Sequence, residues 1–147
     1  MLIKQISIFV QNKSGRLAEI TKLLGEKGVN ILALSIADTT DFGILRLIVS
    51  NPDAAEKAIA ENGLTAKVTE VIGIAVPHVP GGLAGALAVL NDQGISIEYM
   101  YAFVTKSEGD AMVILKVDDN FTAMKALSEN GIKLLTPEDV AGILKTQ

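Results

Sequence analysis

Cysteine is absent from these 147 residues, and histidine occurs once. The first absence excludes disulfides, thiolate metal sites and a cysteine nucleophile; the second excludes a histidine-rich metal centre, so neither a metal nor a cofactor is expected. Blocks of Lys and Arg are missing too. Thirteen basic against seventeen acidic residues give a net charge of -4, which argues against nucleic acid or an anionic membrane as partner. The N-terminal "MLIKQISIFVQNK" alternates polar and apolar residues where a secretory signal carries an unbroken apolar core, which points to the cytoplasm. What is present is apolar material, 49% of the chain against 20% charged, enough for one ordinary domain or two small ones and too much for disorder.

Charge is missing altogether from Val71 to Asn91, "VIGIAVPHVPGGLAGALAVLN", a run long enough to raise the question of a membrane span. Pro77, His78, Pro80, Gly81 and Gly82 in its middle argue instead for a strand, a turn and a helix. A stronger reason is internal. Moved by 66 positions, so that Ile6 meets Ile72, "ISIFVQNKSGRLAEITKLLGEKGVNI" falls on "IGIAVPHVPGGLAGALAVLNDQGISI". Ile8, Val10, Gly15, Leu17, Ala18, Leu24, Gly28 and Ile31 then meet Ile74, Val76, Gly81, Leu83, Ala84, Leu90, Gly94 and Ile97. "AEKAIAENGL" meets "AMKALSENGI" at an offset of 68, so the second copy carries two extra residues in between. The chain is a tandem repeat. The first copy holds Lys13, Arg16, Glu19 and Lys22 where the second is uncharged, so the uncharged run is a soluble element and not a membrane span.

Each copy reads the same way. Ile6, Ile8 and Val10 alternate as a strand does, and Leu17, Ile20, Leu23 and Leu24 recur at helical spacing up to Gly28. Two apolar runs, "NILALSIADT" and "FGILRLIVS", joined around "TTD", read as a hairpin whose turn in the second copy, "TKSEGDA", holds the insertion. "NPDAAEKAIAEN" has a cap, an early proline and Ala55, Ala58 and Ile59 on one face, and a strand near "TAKVTEV" closes the unit. Strand, helix, strand, strand, helix, strand is the ferredoxin-like βαββαβ unit of the α+β class, an antiparallel sheet with helices on one face. Two such domains are expected, 1–70 and 71–147, with no flexible linker between them. The tail "TPEDVAGILK" predicts a further short helix, capped by Thr136.

This fold hosts many functions, so function has to be read from the loop before the first helix. A helix N-terminus presents unsatisfied N–H groups and partial positive charge, and a glycine at its start removes the side chain that would keep an anion away. Gly15 and Gly81 stand there, preceded by Asn12, Lys13 and Ser14 or by His78, Val79 and Pro80. A tight turn that needs glycine only for its backbone angles explains the same residues.

"NKSGRLAEITKLLGEKGVNI" and "HVPGGLAGALAVLNDQGISI" resemble the first loop, first helix and start of the second strand of the ACT domain, the amino-acid-sensing regulatory module of metabolic enzymes. Pro80-Gly81 and Ser14-Gly15 fit its loop pattern, and Gly28-Val29-Asn30-Ile31 and Gly94-Ile95-Ser96-Ile97 fit its later glycine motif, over essentially the whole chain. The resemblance implies a binding module in which an L-amino acid lies between two domains, held by the first loop of one and the start of the second strand of its neighbour. Carried over, the loop positions are Asn12, Lys13, Ser14, Gly15, Arg16 and Leu17 in one copy and His78, Val79, Pro80, Gly81, Gly82 and Leu83 in the other. The strand positions are Asn30, Ile31, Ser96 and Ile97. No catalytic residue is implied, and the regulated enzyme or regulator would be a separate polypeptide. His78, Val79 and Gly82 depart from Asn12, Lys13 and Arg16, so the two sites need not be equivalent.

Other readings stand beside this one. Asn12 and Asn30 also suit a turn cap and a strand start, His78 a solvated loop, and Lys13 and Arg16 solvent-facing charges. Tyr99, Tyr101 and Phe103 share a sheet face, as core or interface and not as a base-stacking platform, since the glycine-aromatic pattern of RNA binders is missing. Arg16 and Asn30 can be cast as an acylphosphatase pair, although Gly82 stands at the arginine position of the second copy. A purely structural dimerisation module is the remaining alternative. "GGLAGALAVLND" is apolar or small on nearly every side, so Ala84 and Ala88 are expected to lie against another domain or a second chain, in a homodimer.

Overall fold

The computed structural model describes residues 2–11, 14–38, 42–104 and 109–143. Seven strands and five helices occur among them: β1 (Ile3–Gln11), α1 (Arg16–Glu26), β2 (Ile31–Asp38), β3 (Phe42–Val49), α2 (Pro52–Glu61), β4 (Thr65–Pro77), α3 (Gly82–Asp92), β5 (Ile97–Ala102), β6 (Asp110–Val117), α4 (Asn120–Glu129), β7 (Lys133–Leu135) and α5 (Pro137–Gly142). The order β1-α1-β2-β3-α2, repeated as β4-α3-β5-β6-α4-β7, is that of two tandem ferredoxin-like units. By packing, the chain divides into Lys4–Thr69 and a second unit of 1–3 with Glu70–Gln147.

In the first unit β3 lies between β1 and β2 and is antiparallel to both, with Ile8 opposite Leu45 and Leu34 opposite Leu47. Ile6, Ile8 and Val10 point to one face, where Ile20 and Leu24 of α1 and Ala55 and Ile59 of α2 close the core. The spacing of those four helical residues explains why both helices settle on this face, and each large side chain buried there contributes about 1.5–3 kcal/mol. The other face of β1 is not uniformly wet: Gln5 is fully buried and its amide donates to Ser7 Oγ at 3.4 Å.

The second unit repeats the plan. β6 pairs with β4 and β5, β7 pairs with the other side of β4, and Ile72, Ile74 and Val76 pack with Ala86, Leu90, Ala123 and Leu127. Gly73 lies in a tight place: a Cβ there would displace the movable end of Ile3, 2.5 Å away at Cδ1, and press on Leu135 Cβ at 3.1 Å. Tyr99 and Tyr101 share a face as expected and stack at 6.5 Å between ring centroids. The short tail helix α5 carries a full capping box, Asp139 N–H to Thr136 Oγ1 at 3.0 Å and Thr136 N–H to Asp139 Oδ2 at 2.9 Å. The charge-free run becomes the end of β4, a turn and α3, and no helix among the described residues is long and apolar enough to cross a membrane. Both hairpin turns, including the insertion, lie largely outside the described residues.

Candidate functional site

Three of the five helices begin at a residue whose side chain accepts from the first turn. Asn51 accepts from Ala54 N–H, Asp119 from Thr122 N–H and Thr136 from Asp139 N–H. The two first helices differ. α1 starts at Gly15 with φ 88° and α3 at Gly81 with φ 83°, both left-handed and neither giving a side-chain cap. Among the described residues nothing accepts from Leu17 or Ala18 N–H, nor from Leu83 or Ala84 N–H. In the second unit, where the whole loop is described, these are the orphan donors of a helix N-terminus, left to solvent or to an anion.

The geometry separates two roles for the loop glycines. A Cβ on Gly15 or Gly81 would meet nothing within 4 Å, so each is required by its positive φ and not by space. Gly82 is the reverse: a Cβ there would run into the carbonyl oxygen of Pro77, and its own N–H donates to Val79 O at 3.0 Å. Its departure from Arg16 therefore reflects a backbone that passes too close for a side chain. His78 N–H donates to Gly109 O at 2.9 Å, which ties the second loop to the β5–β6 hairpin. His78, Val79 and Pro80 are exposed, as are Ser14 and Gly15. Asn12 and Lys13 lie outside the described residues. Arg16 pairs with Glu19 at 3.2 Å and is a partly exposed surface charge.

At the start of β2, Asn30 N–H donates to Ser50 Oγ at 2.9 Å and Asn30 O accepts from Ser50 N–H at 2.9 Å. Both bonds use the Asn30 backbone and leave its exposed amide unused among the described residues. In the second unit Ser96 O accepts from Asp118 N–H at 3.3 Å, the same clasp without its hydroxyl half. Ser50 was not singled out by the sequence; its only signal is its place just ahead of the Asn51 cap. Ile31 and Ile97 are half-buried beside these positions.

A single unit does not bring the two groups of residues together. β1 and β2 are both antiparallel to β3 and so run the same way, with Gln11 opposite Phe42 and Ile31 opposite Val49. Seven residue steps along β3 separate those pairs, roughly 20–25 Å at the rise of a strand, so the loop of Gly15 and the amide of Asn30 sit at opposite ends of their sheet. The second unit has the same separation, with Pro77 opposite Asp110 and Ile97 opposite Val117. An acylphosphatase pair of Arg16 and Asn30 within one unit fails on this geometry. Among the described residues no cluster of His, Asp or Glu suited to a metal occurs.

The family model of the ACT domain pair matches residues 1–144. A crystal structure of a Bacteroides thetaiotaomicron protein shares 43% identity over 96% of both chains, with a TM-score of 0.89. The ligand-free regulatory subunit of aspartate kinase from Thermus thermophilus superposes with a TM-score of 0.63 at 17% identity, over 86% of this chain and 90% of that one. Aspartate kinase from Synechocystis gives 0.54 at 21% identity, over 92% of this chain and 28% of that one. No curated protein matches significantly. With two repeats of the unit in order and the model spanning both, the chain belongs to the ACT domain pair family.

Proposed function

We propose that this protein is a cytoplasmic regulatory sensor that binds an L-amino acid and acts on a separate metabolic enzyme or regulator, without chemistry of its own. One observation carries the reading. Of the five helices, the two that lack a side-chain cap are those that the ACT resemblance places at the ligand. The carboxylate takes the free N–H groups of Leu17 and Ala18, or of Leu83 and Ala84. The Asn30 amide or the Ser96 hydroxyl of a neighbouring unit faces the ammonium end. Because loop and strand start lie at opposite ends of one sheet, the neighbour is required, and a homodimer supplies it. The domains are 1–70 and 71–147, each contributing one loop and one strand start.

Two to four hydrogen bonds to charged groups, less the ordering cost, leave about 4–8 kcal/mol, so dissociation constants fall between millimolar and micromolar. A thermal-shift screen of the L-amino acids at millimolar concentration tests this, since a ligand that binds the folded state raises Tm by mass action. One or a few amino acids are expected to stabilise the protein. A screen in which none does overturns the reading.

A further inference from the structure

The helix layer of each unit has a groove in the same place, where the end of the first helix meets the side of the second. At the repeat offsets, Lys27, Lys57, Ala58 and Glu61 correspond to Gln93, Lys125, Ala126 and Glu129. In the first unit those residues line a groove of about 210 Å³; in the second their counterparts, joined by Phe121, line one of about 290 Å³. Phe121 sets the two apart. It stands in the first turn of α4 and is 80% exposed, the most open large apolar side chain among the described residues. Its counterpart Asp53 is an exposed carboxylate 3.9 Å from Lys4 Nζ, so the fold asks for no aromatic ring at this position. A ring left in water contributes little to the unit that carries it. The polar lining is unused as well. Thr122 Oγ1 donates to Asp119 Oδ2 at 2.6 Å and the Asn130 amide to Ala126 O at 2.8 Å, but the side chains of Gln93, Lys125 and Glu129 have no partner among the described residues. Phe121, Lys125 and Glu129 follow at i, i+4 and i+8, so ring, ammonium and carboxylate stand in a row along α4. Lysine ahead of glutamate is the less favourable order for pairing within a helix, which leaves both charges available.

We propose that this groove of the second unit is the docking surface for a separate polypeptide, which enters it with an amphipathic helix presenting a basic, an acidic and an apolar side chain on successive turns. Charge complementarity decides the occupant. Laid antiparallel to α4, which opposes the two helix dipoles, such a helix sets its basic residue against Glu129, its acidic residue against Lys125 and its apolar residue on Phe121, over the small floor of Ala126. A second copy of α4 fits less well. A twofold axis that brings Phe121 onto its own mate leaves Lys125 and Glu129 unmatched, and one that pairs Lys125 with Glu129 separates the rings. Position ties the groove to the ligand. Gln93 comes three residues before Ser96 and Phe121 three after Asp118, and Asp118 N–H donates to Ser96 O at 3.3 Å, so both walls of the groove lead into the strand start. That the docked polypeptide is the regulated one, and that it bears on the ligand through Ser96, rests on the amino-acid reading above; the docking surface does not.

The probe is an alanine-based helical peptide of about 20 residues with Lys, Glu and Leu at i, i+4 and i+8, titrated without amino acid into the isotope-labelled whole chain and followed by backbone amide shifts. Binding is expected with a dissociation constant on the order of a millimolar, with shifts at Gln93, Phe121, Lys125 and Glu129 and none at Lys27, Lys57 and Glu61. Exchanging the peptide's Lys and Glu should weaken binding by about tenfold, and Phe121→Ser, at an exposed position, by at least as much. The double variant Lys125→Glu/Glu129→Lys should prefer the exchanged peptide. No binding, equal shifts in both grooves, or indifference to the order of the charges overturns the proposal. Sedimentation velocity addresses the other occupant. Phe121→Ser is expected to leave the association state of the chain unchanged; a loss of association would mean that a second copy lies on the groove, which also overturns the proposal. A thermal-shift screen with no stabilising amino acid overturns the functional reading alone, because the peptide binds without one.

Discussion

On the amino-acid reading proposed above, replacing Asn30 by alanine separates ligand binding from folding, because the proposed contact and the fold use different atoms of this residue. The backbone N–H and C=O are clasped by Ser50 at 2.9 Å each, and both bonds survive the substitution. The side chain is exposed and holds nothing among the described residues, so stability should change by less than about 0.5 kcal/mol. Loss of one hydrogen bond to a charged ammonium or carboxylate costs about 1.5–3 kcal/mol, which at 1.4 kcal/mol per decade is a roughly 10- to 150-fold weaker dissociation constant. Calorimetric titration with the amino acid found by thermal shift measures the affinity, and urea unfolding without ligand measures the stability. Unchanged affinity with unchanged stability refutes the placement of Asn30 at the ligand. A large loss of stability would instead mean that the amide holds the strand start, contrary to the bonds described here.

Ser50→Ala removes the hydroxyl half of the clasp on Asn30 without touching ligand; affinity should fall by several-fold, and the loss should be absent in Ser50→Thr, both read by the same titration. Gly81→Ala forces an L side chain to positive φ and should cost about 1–2 kcal/mol in urea unfolding. Gly82→Ala, which drives a Cβ into Pro77 O, should cost at least as much at an ordinary backbone angle, so Gly82→Ser should fare no better. Acid should destabilise the fold through two helix caps. The Thr122 hydroxyl, then its N–H, holds the Asp119 carboxyl below the ordinary 3.8, and the Thr136 N–H does the same for Asp139. A lowered folded pKa means stability that is complete above about pH 4 and lost as pH falls through the folded value. The double variant Asp119→Asn/Asp139→Asn should flatten that acid limb in a series of melts from pH 5 to pH 2 (~).

Repetition made the fold legible. A single copy of "ISIFVQNKSGRLAEI" is compatible with many strand-helix pairs, but two copies in register fixed the element order and cancelled the membrane reading of the charge-free run, because its counterpart is charged. What a linear pattern did not show is where a strand is covered on both faces. Gln5 and Ser7 look like the wet side of an alternating strand and are buried. Nor did it show close approach: Gly82 reads as a lost arginine, whereas the carbonyl of Pro77 excludes any side chain.

The proposed site can be read from the sequence as a set of residues and not as an arrangement. Gly15, Gly81, Asn30 and Ser96 stand out by repeat and motif, yet the order strand, helix, strand, strand already implies that the first two strands are parallel neighbours of a third. A loop after one and the start of the other must then lie at opposite ends of the sheet. A ligand that touches both therefore joins two units whatever its identity, and anything that changes how units meet changes its affinity. Reciprocity follows: the ligand favours the assembly that completes its site by the same factor by which that assembly favours the ligand. In such a device neither helix start nor strand start needs to move. On the amino-acid reading proposed above, the signal is the change in how firmly two copies of one fold are held together.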